Sequence, residues 1–292
     1  MKIIFALSIF ISSPLFAATF TGVDGKKVVV SNPQRLVVIN SSSVEIISAL
    51  GKGEKIVGVD AGSQFPEEVT KKAQNLGHPY RPGAEGVISL KPDLVIANEE
   101  NMPAATAEQI RSAKIQVLVL ENSAKDGLEG LKRRVTLLGD VLEAKEKALE
   151  LNKEIEADVA ALQVEIKSLK KTPKIFFLYA HGPGTAFIYG QATGSHYLIE
   201  AVGGKNSADF TTGTKPLTAE AMVQASPDVI IMLGRGLKAV GGVEGALKLS
   251  GVSLTPAGKN KAILQVDDSI RWIGPRFPGF AKELLQEMKK TL

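Results

Sequence analysis

Two stretches far apart in this chain match each other without a gap. Ala84-Glu-Gly-Val-Ile-Ser-Leu-Lys-Pro-Asp-Leu-Val-Ile96 aligns with Ala219-Glu-Ala-Met-Val-Gln-Ala-Ser-Pro-Asp-Val-Ile-Ile231. Each reads as a helix with an acidic second residue, stopped by Pro-Asp and followed by the apolar run of a buried strand. A weaker echo pairs Ile46-Ile-Ser-Ala-Leu-Gly51 with Leu198-Ile-Glu-Ala-Val-Gly203, two helix ends closed by glycine. Repeated supersecondary units of this size predict two homologous lobes.

Further apolar runs at 35–39, 55–59, 115–120, 174–179 and 262–266 alternate with helical segments. That alternation predicts an α/β fold with largely parallel sheets. Between the halves, residues 128–171 contain no proline and are rich in Leu, Ala, Glu and Lys. Apolar residues recur there at helical spacing, and an uninterrupted helix is expected over 140–171, roughly 45 Å at 1.5 Å per residue. The expected architecture is therefore two Rossmann-like lobes, 18–139 and 172–292, joined by one long rigid helix.

The first residues read as an export signal. Lys2 precedes an apolar core at 3–12, and Ala17-Ala18 supplies small residues at its end. A signal peptide over 1–17 and a periplasmic location are expected, since the apolar core is too short to span a bilayer. The sequence holds no cysteine. Disulfides, thiolate metal sites and a lipidated cysteine are thereby excluded from it. With three histidines in 292 residues, a multi-histidine metal site is nearly excluded. A net charge of +4, spread along the chain, does not make the clustered patch of a nucleic-acid binder. No P-loop and no Gly-x-Ser-x-Gly elbow is present, so no catalytic residue is assigned.

The segment Gly77-His-Pro-Tyr-Arg-Pro-Gly83 places an imidazole, a phenol and a guanidinium on one proline-stiffened turn before a helix. Histidine and tyrosine are both axial ligands of porphyrin iron, and a guanidinium pairs with carboxylates such as propionates. His78, Tyr80 and Arg81 are candidates on that chemistry; a solvated surface loop fits the same residues. His181 follows a strand, where open α/β sheets bind ligands beyond the strand ends. Arg271, Trp272 and Arg276 combine a ring able to stack on a flat macrocycle with two cations, and fit packing at a lobe edge equally well. Glu85 and Glu220 occupy equivalent places in the two halves. Each suits a helix start, and as a pair they suit basic sockets on a two-subunit partner.

With these residues in view, the chain resembles the periplasmic haem-binding proteins of bacterial haem ABC importers, class III substrate-binding proteins. The resemblance runs over nearly all of 18–292. It is carried by Ala84–Asp93, Lys215-Pro-Leu-Thr-Ala-Glu-Ala221, Gly234-Arg-Gly-Leu-Lys-Ala-Val-Gly-Gly242, Leu254-Thr-Pro-Ala-Gly258 and Gly274-Pro-Arg276. It implies a monomeric, non-enzymatic carrier that captures haem between its lobes. It also implies that Glu85 and Glu220 meet arginines of an inner-membrane ABC permease dimer. The resemblance places an axial tyrosine directly after the glycine matched by Gly77, and an arginine two positions later. Here His78 and Tyr80 stand in those places and Arg81 comes one residue late, so His78 or Tyr80 is the expected axial ligand. His181 matches a second ligand that some members add. Cobalamin or a ferric siderophore on the same scaffold, and a haem-handling enzyme, are the alternative readings.

Overall fold

The computed structural model describes residues 17–180, 182 and 184–292. The expected signal segment, apart from Ala17, and His181 lie outside the described residues.

A hairpin of β1 (Ala18–Thr21) and β2 (Lys27–Val30) precedes the first lobe. That lobe is built on a parallel sheet of β3 (Leu36–Ile39), β4 (Ile56–Val59), β5 (Gln74–Asn75), β6 (Leu94–Asn98) and β7 (Gln116–Leu120), in the order β5-β4-β3-β6-β7. The second lobe carries β8 (Lys174–Ala180), β9 (Ala186–Tyr189), β10 (Lys205–Asn206), β11 (Thr214–Pro216), β12 (Val229–Leu233) and β13 (Ile263–Val266). Its order is β11-β9-β8-β12-β13, with β10 also beside β8. Here β9 runs antiparallel to β8 and β11, so this sheet is mixed. Central strands β3, β6 and β12 are buried along their whole length, which is why they read as continuous apolar runs.

The repeated Pro-Asp has one structural meaning in both lobes. The Asp93 N–H donates to the carbonyl of Arg35 at 2.9 Å, and its Oδ2 accepts the Arg35 N–H at 2.9 Å. The Asp228 N–H donates to the carbonyl of Lys174 at 2.8 Å, and its Oδ2 accepts the Lys174 N–H at 2.9 Å. Each aspartate thus grips the residue that opens or precedes the lobe's first central strand and sets the parallel register, Leu36 beside Leu94 and Ile175 beside Val229. The second echo is equally literal. Gly51 and Gly203 both sit at φ +73°, and their N–H groups close onto Ser48 and Glu200 at 2.9 Å. A left-handed residue at a helix end favours glycine because it has no Cβ to clash.

The expected helix over 140–171 is not continuous. One helix spans Gly127–Val141 and a second Lys145–Ile166, with Glu143 at φ +53° between them. The Ala144 N–H folds back onto the Gly139 carbonyl at 2.7 Å. A Cβ on Gly139 would lie 2.4 Å from that of Ala148, so the missing side chain lets the two helices cross. The connector is therefore Lys145–Ile166, about 33 Å long at 1.5 Å per residue. Lys132 pairs with Glu156 at 2.9 Å near its middle and Lys289 with Glu165 at 3.6 Å at its end, tying it to both lobes. Among the described residues, no helix is long and apolar enough to cross a membrane.

A second tie joins the lobes. The segment before the closing helix Phe277–Thr291 lies across the helix Ser41–Ala49 of the first lobe. Arg134, almost wholly buried, donates from Nη2 to the carbonyls of Ser123 and Ile273 at 2.8 and 2.9 Å. Burial draws its pKa down to about 10, which leaves it charged at neutral pH. Arg276 Nη2 meets Glu45 Oε1 at 2.9 Å, and a Cβ on Gly274 would sit 2.9 Å from Glu45 Oε2.

Candidate functional site

The turn that follows β5 is pinned to the end of β4. The Leu76 N–H donates to Val59 and the Ala61 N–H to Gly77, both at 2.8 Å. The turn then closes on itself, with the Arg81 N–H on the His78 carbonyl at 3.1 Å and the Tyr80 N–H on His78 Nδ1 at 3.2 Å. It forms one wall of a cleft of about 600 Å³, to which Ala61, Gly62, Gly77, His78, Pro79 and Tyr80 contribute. The opposite wall comes from the second lobe, through Tyr179, Phe187, Tyr189, Thr214, Arg235 and Arg271.

Tyrosines face the cleft from both sides. Tyr189 packs edge-on against Phe177 at 4.8 Å and Tyr179 at 6.3 Å. Arg235 lies 5.5 Å from the Tyr179 ring. Desolvation in the cleft pushes the phenol pKa of Tyr80 up, and that of Tyr189 likewise; the Arg271 guanidinium opposes both shifts. Arg271 is itself fixed by its Nε on the Asp268 carbonyl at 3.3 Å and by stacking 4.3 Å over Trp272.

His78 and Tyr80 are thus brought together, with ring centres 5.7 Å apart. The remaining expectations are redistributed. Arg81 is exposed and its side chain lies outside the cleft lining. Trp272 is 4% exposed and braces Gly62, where a Cβ would lie 2.8 Å from the indole; it offers no face for stacking in this cleft. Arg276 is held between Phe65 and Phe280, 4.0 and 4.8 Å from their rings, and is spent on Glu45. The arginines that line the cleft are instead Arg235, whose Nε lies 3.2 Å from Asp268 Oδ2, and Arg271. Glu85 and Glu220 are exposed in the first turns of helices Ala84–Ser89 and Ala219–Ala225, with no ion pair to either among the described residues. Sequence reasoning missed Tyr189 and the cleft position of Arg235. The alternation Phe187, Tyr189 on one face of an edge hairpin was the available signal.

Beneath the turn, the strand ends carry two acids, Asp60 buried and Glu100 half-buried. Asp60 accepts from the Asn40 and Gly62 N–H groups and the Ser63 hydroxyl at 2.8–2.9 Å. Glu100 Oε1 accepts from the Ser123 N–H and hydroxyl. Burial raises the pKa of Asp60 and Glu100 despite these bonds, and raises that of Glu45 despite Arg276. Above the ordinary carboxylate range the folded state therefore binds more protons than the unfolded chain, and stability falls as pH rises through that window. The thermal unfolding midpoint is expected to fall as pH is raised from the ordinary carboxylate range to neutrality, with Asp60→Asn flattening the profile. A midpoint that rises with pH would show these acids to be ionised without cost.

Residues 36–269 match the profile of the family described as periplasmic binding protein. An ABC transporter substrate-binding lipoprotein, YvrC of Bacillus subtilis (strain 168), is 32% identical over 88% of this chain and 80% of its own length. A cobalamin-binding protein of Halobacterium salinarum (strain ATCC 29341 / DSM 671 / R1) is 28% identical over 69% of this chain and 54% of its own. The solved periplasmic heme-binding protein RhuT from Roseiflexus sp. RS-1 superposes with a TM-score of 0.83 at 34% identity, over 88% of this chain and 98% of that one. The periplasmic heme-binding protein HutB of Vibrio cholerae gives 0.77 at 30% identity, over 87% and 98%. Two linked α/β lobes, a cleft between them and these matches lead to one statement: the chain belongs to the periplasmic binding protein family, as a substrate-binding transport protein and not an enzyme.

Proposed function

We propose that this protein captures ferric haem in the interlobe cleft through the phenolate of Tyr80 and delivers it to an ABC permease of the inner membrane. The observation that carries the reading is the donor set: tyrosines on both walls of an aromatic cleft whose lining also includes Arg235 and Arg271. A hard anionic oxygen suits ferric iron, and tyrosine is an established axial ligand. Arg235 and Arg271 pair with the propionates.

His78 is the weaker donor for a stated reason. Its Nδ1 accepts the Tyr80 N–H, which places its own proton on Nε2, and a protonated nitrogen has no lone pair for a metal. Ligation by His78 would break the bond that shapes the turn. Glu85 and Glu220, equivalent and exposed, are the proposed contacts to the permease.

The cobalamin relative supplies the second reading. Cobalamin is much bulkier than haem and brings its own cobalt ligands, so it gains nothing from a phenolate. Titration with haemin is expected to shift the Soret band and saturate at stoichiometric ligand, while cobalamin leaves the protein's tyrosine absorbance and melting midpoint unchanged. Coordination replaces the phenol proton by iron. Haemin affinity is therefore expected to rise with pH, by up to about tenfold per unit below the phenol pKa. A Soret band untouched by the protein, or an affinity independent of pH, overturns the assignment.

A further inference from the structure

We propose that Asn101 is a positioning residue for the haem ligand, its amide holding the carbonyl of Pro79 and so fixing where Tyr80 stands on the cleft wall. The inference rests on the reading of Tyr80 as the iron ligand.

The argument starts from a chain of hydrogen bonds whose direction is fixed at both ends. At one end is the main-chain N–H of Ser42, which can only donate; it reaches Asn40 Oδ1 at 2.9 Å, and the Ser42 hydroxyl meets the same oxygen at 2.7 Å. Asn40 must therefore turn its Nδ2 the other way, and it donates to Asn101 Oδ1 at 2.6 Å and to Glu100 Oε1 at 3.2 Å. Asn101 is then left with its own Nδ2, which donates to the Pro79 carbonyl at 3.2 Å. That carbonyl can only accept. Flipping either amide would set donor against donor or acceptor against acceptor, so the network admits one arrangement.

Asn40 and Asn101 are both fully buried. A buried polar pair is costly unless every group is satisfied, and an apolar pair would fill the same space. Asn40 also holds its backbone at φ +138°, where residues with a side chain are rare, and its N–H is clamped on Asp60 Oδ2 at 2.9 Å. Strain of this kind gathers where a site must be preorganised.

The turn needs such a fixture. From the strand ends it is gripped through the Gly77 carbonyl and the Pro79 carbonyl, on either side of His78. Tyr80 is 40% exposed, so its side chain is not steered by close packing. Its direction is inherited from the backbone at Pro79. Proximity of a ligand atom to its metal is sensitive to small displacements, and a loosened turn lengthens the iron–oxygen bond.

The test compares three variants as haemin complexes. Asn101→Asp keeps the acceptor that Asn40 needs and removes the donor to Pro79; Asn101→Ala removes both; Tyr80→Phe removes the ligand oxygen. The readouts are the phenolate-to-iron charge-transfer band and the rate of haemin transfer to excess apomyoglobin, at a pH that keeps the introduced aspartate ionised. Both Asn101 variants are expected to weaken and shift the band and to speed transfer about tenfold, while Tyr80→Phe abolishes the band. If Asn101→Ala does not fold, Asn101→Asp alone decides. Wild-type band and transfer rate in a folded Asn101 variant overturn the positioning role even where Tyr80→Phe loses the band. A band that survives Tyr80→Phe instead overturns the reading of Tyr80 on which the role depends.

Discussion

Tyr80→Phe is expected to lower haemin affinity by about 100-fold, equivalent to roughly 2.7 kcal/mol, with little change in the melting midpoint. The substitution removes one oxygen and keeps the ring. Tyr80 is 40% exposed, so the fold loses almost no buried contact. On this reading the bound iron loses an anionic ligand, and among the described residues no carboxylate lines the cleft to replace it. His78→Ala is the paired control. Its loss frees the Tyr80 N–H, a hydrogen bond worth about 1 kcal/mol, and is expected to reduce affinity by less than tenfold while the charge-transfer band persists. Spectrophotometric titration of both variants decides the matter. The reverse pattern, with the band lost in His78→Ala and kept in Tyr80→Phe, would make His78 the ligand. Loss of the band only in Tyr189→Phe would move the ligand to the second lobe.

Arg276→Ala is expected to cost about 3–5 kcal/mol and to lower the melting midpoint by about 10 °C. The Glu45 side chain is 4% exposed, and its raised pKa already records the cost of burying a carboxylate with a partner present. Without Arg276 that charge is stranded, and the cation also leaves the rings of Phe65 and Phe280. The double variant Glu45→Leu with Arg276→Met is expected to recover most of the loss, because apolar pairs replace buried ion pairs at little penalty. Calorimetry on the single and double variants measures both. Equal destabilisation in the two would assign the effect to lost packing rather than to an unpaired charge.

The sequence showed the lobes more clearly than the cleft. The Pro-Asp repeat and the closing glycines were legible because each is a local device with one geometric purpose, and both recur as identical hydrogen bonds in the two lobes. The helix break escaped because Glu143 takes a left-handed conformation without being glycine, while the apolar spacing runs on across it. Gly139 marked only where the expected helix begins; that its absent side chain permits a crossing is visible only once Ala148 lies against it. At the site, the turn 77–81 stood out by composition. Arg276 and Trp272 misled for the opposite reason: a cation and an aromatic ring near a predicted cleft look alike whether they meet a ligand or brace a lobe. Glu45, buried in a distant helix, decides that Arg276 braces, and nothing in the spacing of Glu45 and Arg276 announces their contact. Asn40, Asp60 and Asn101 follow or sit near strand ends, and their role becomes visible only once three strands are side by side.

The lobes are fastened twice, along the Lys145–Ile166 connector and at the Arg134 and Arg276 crossing. A body braced in this way is expected to change its outline little between empty and filled. On the proposed role, an empty copy would present nearly the same docking face as a loaded one, and at high copy number would occupy the entrance it is meant to supply. Uptake through such a system would pass through an optimum in carrier abundance rather than climb without end.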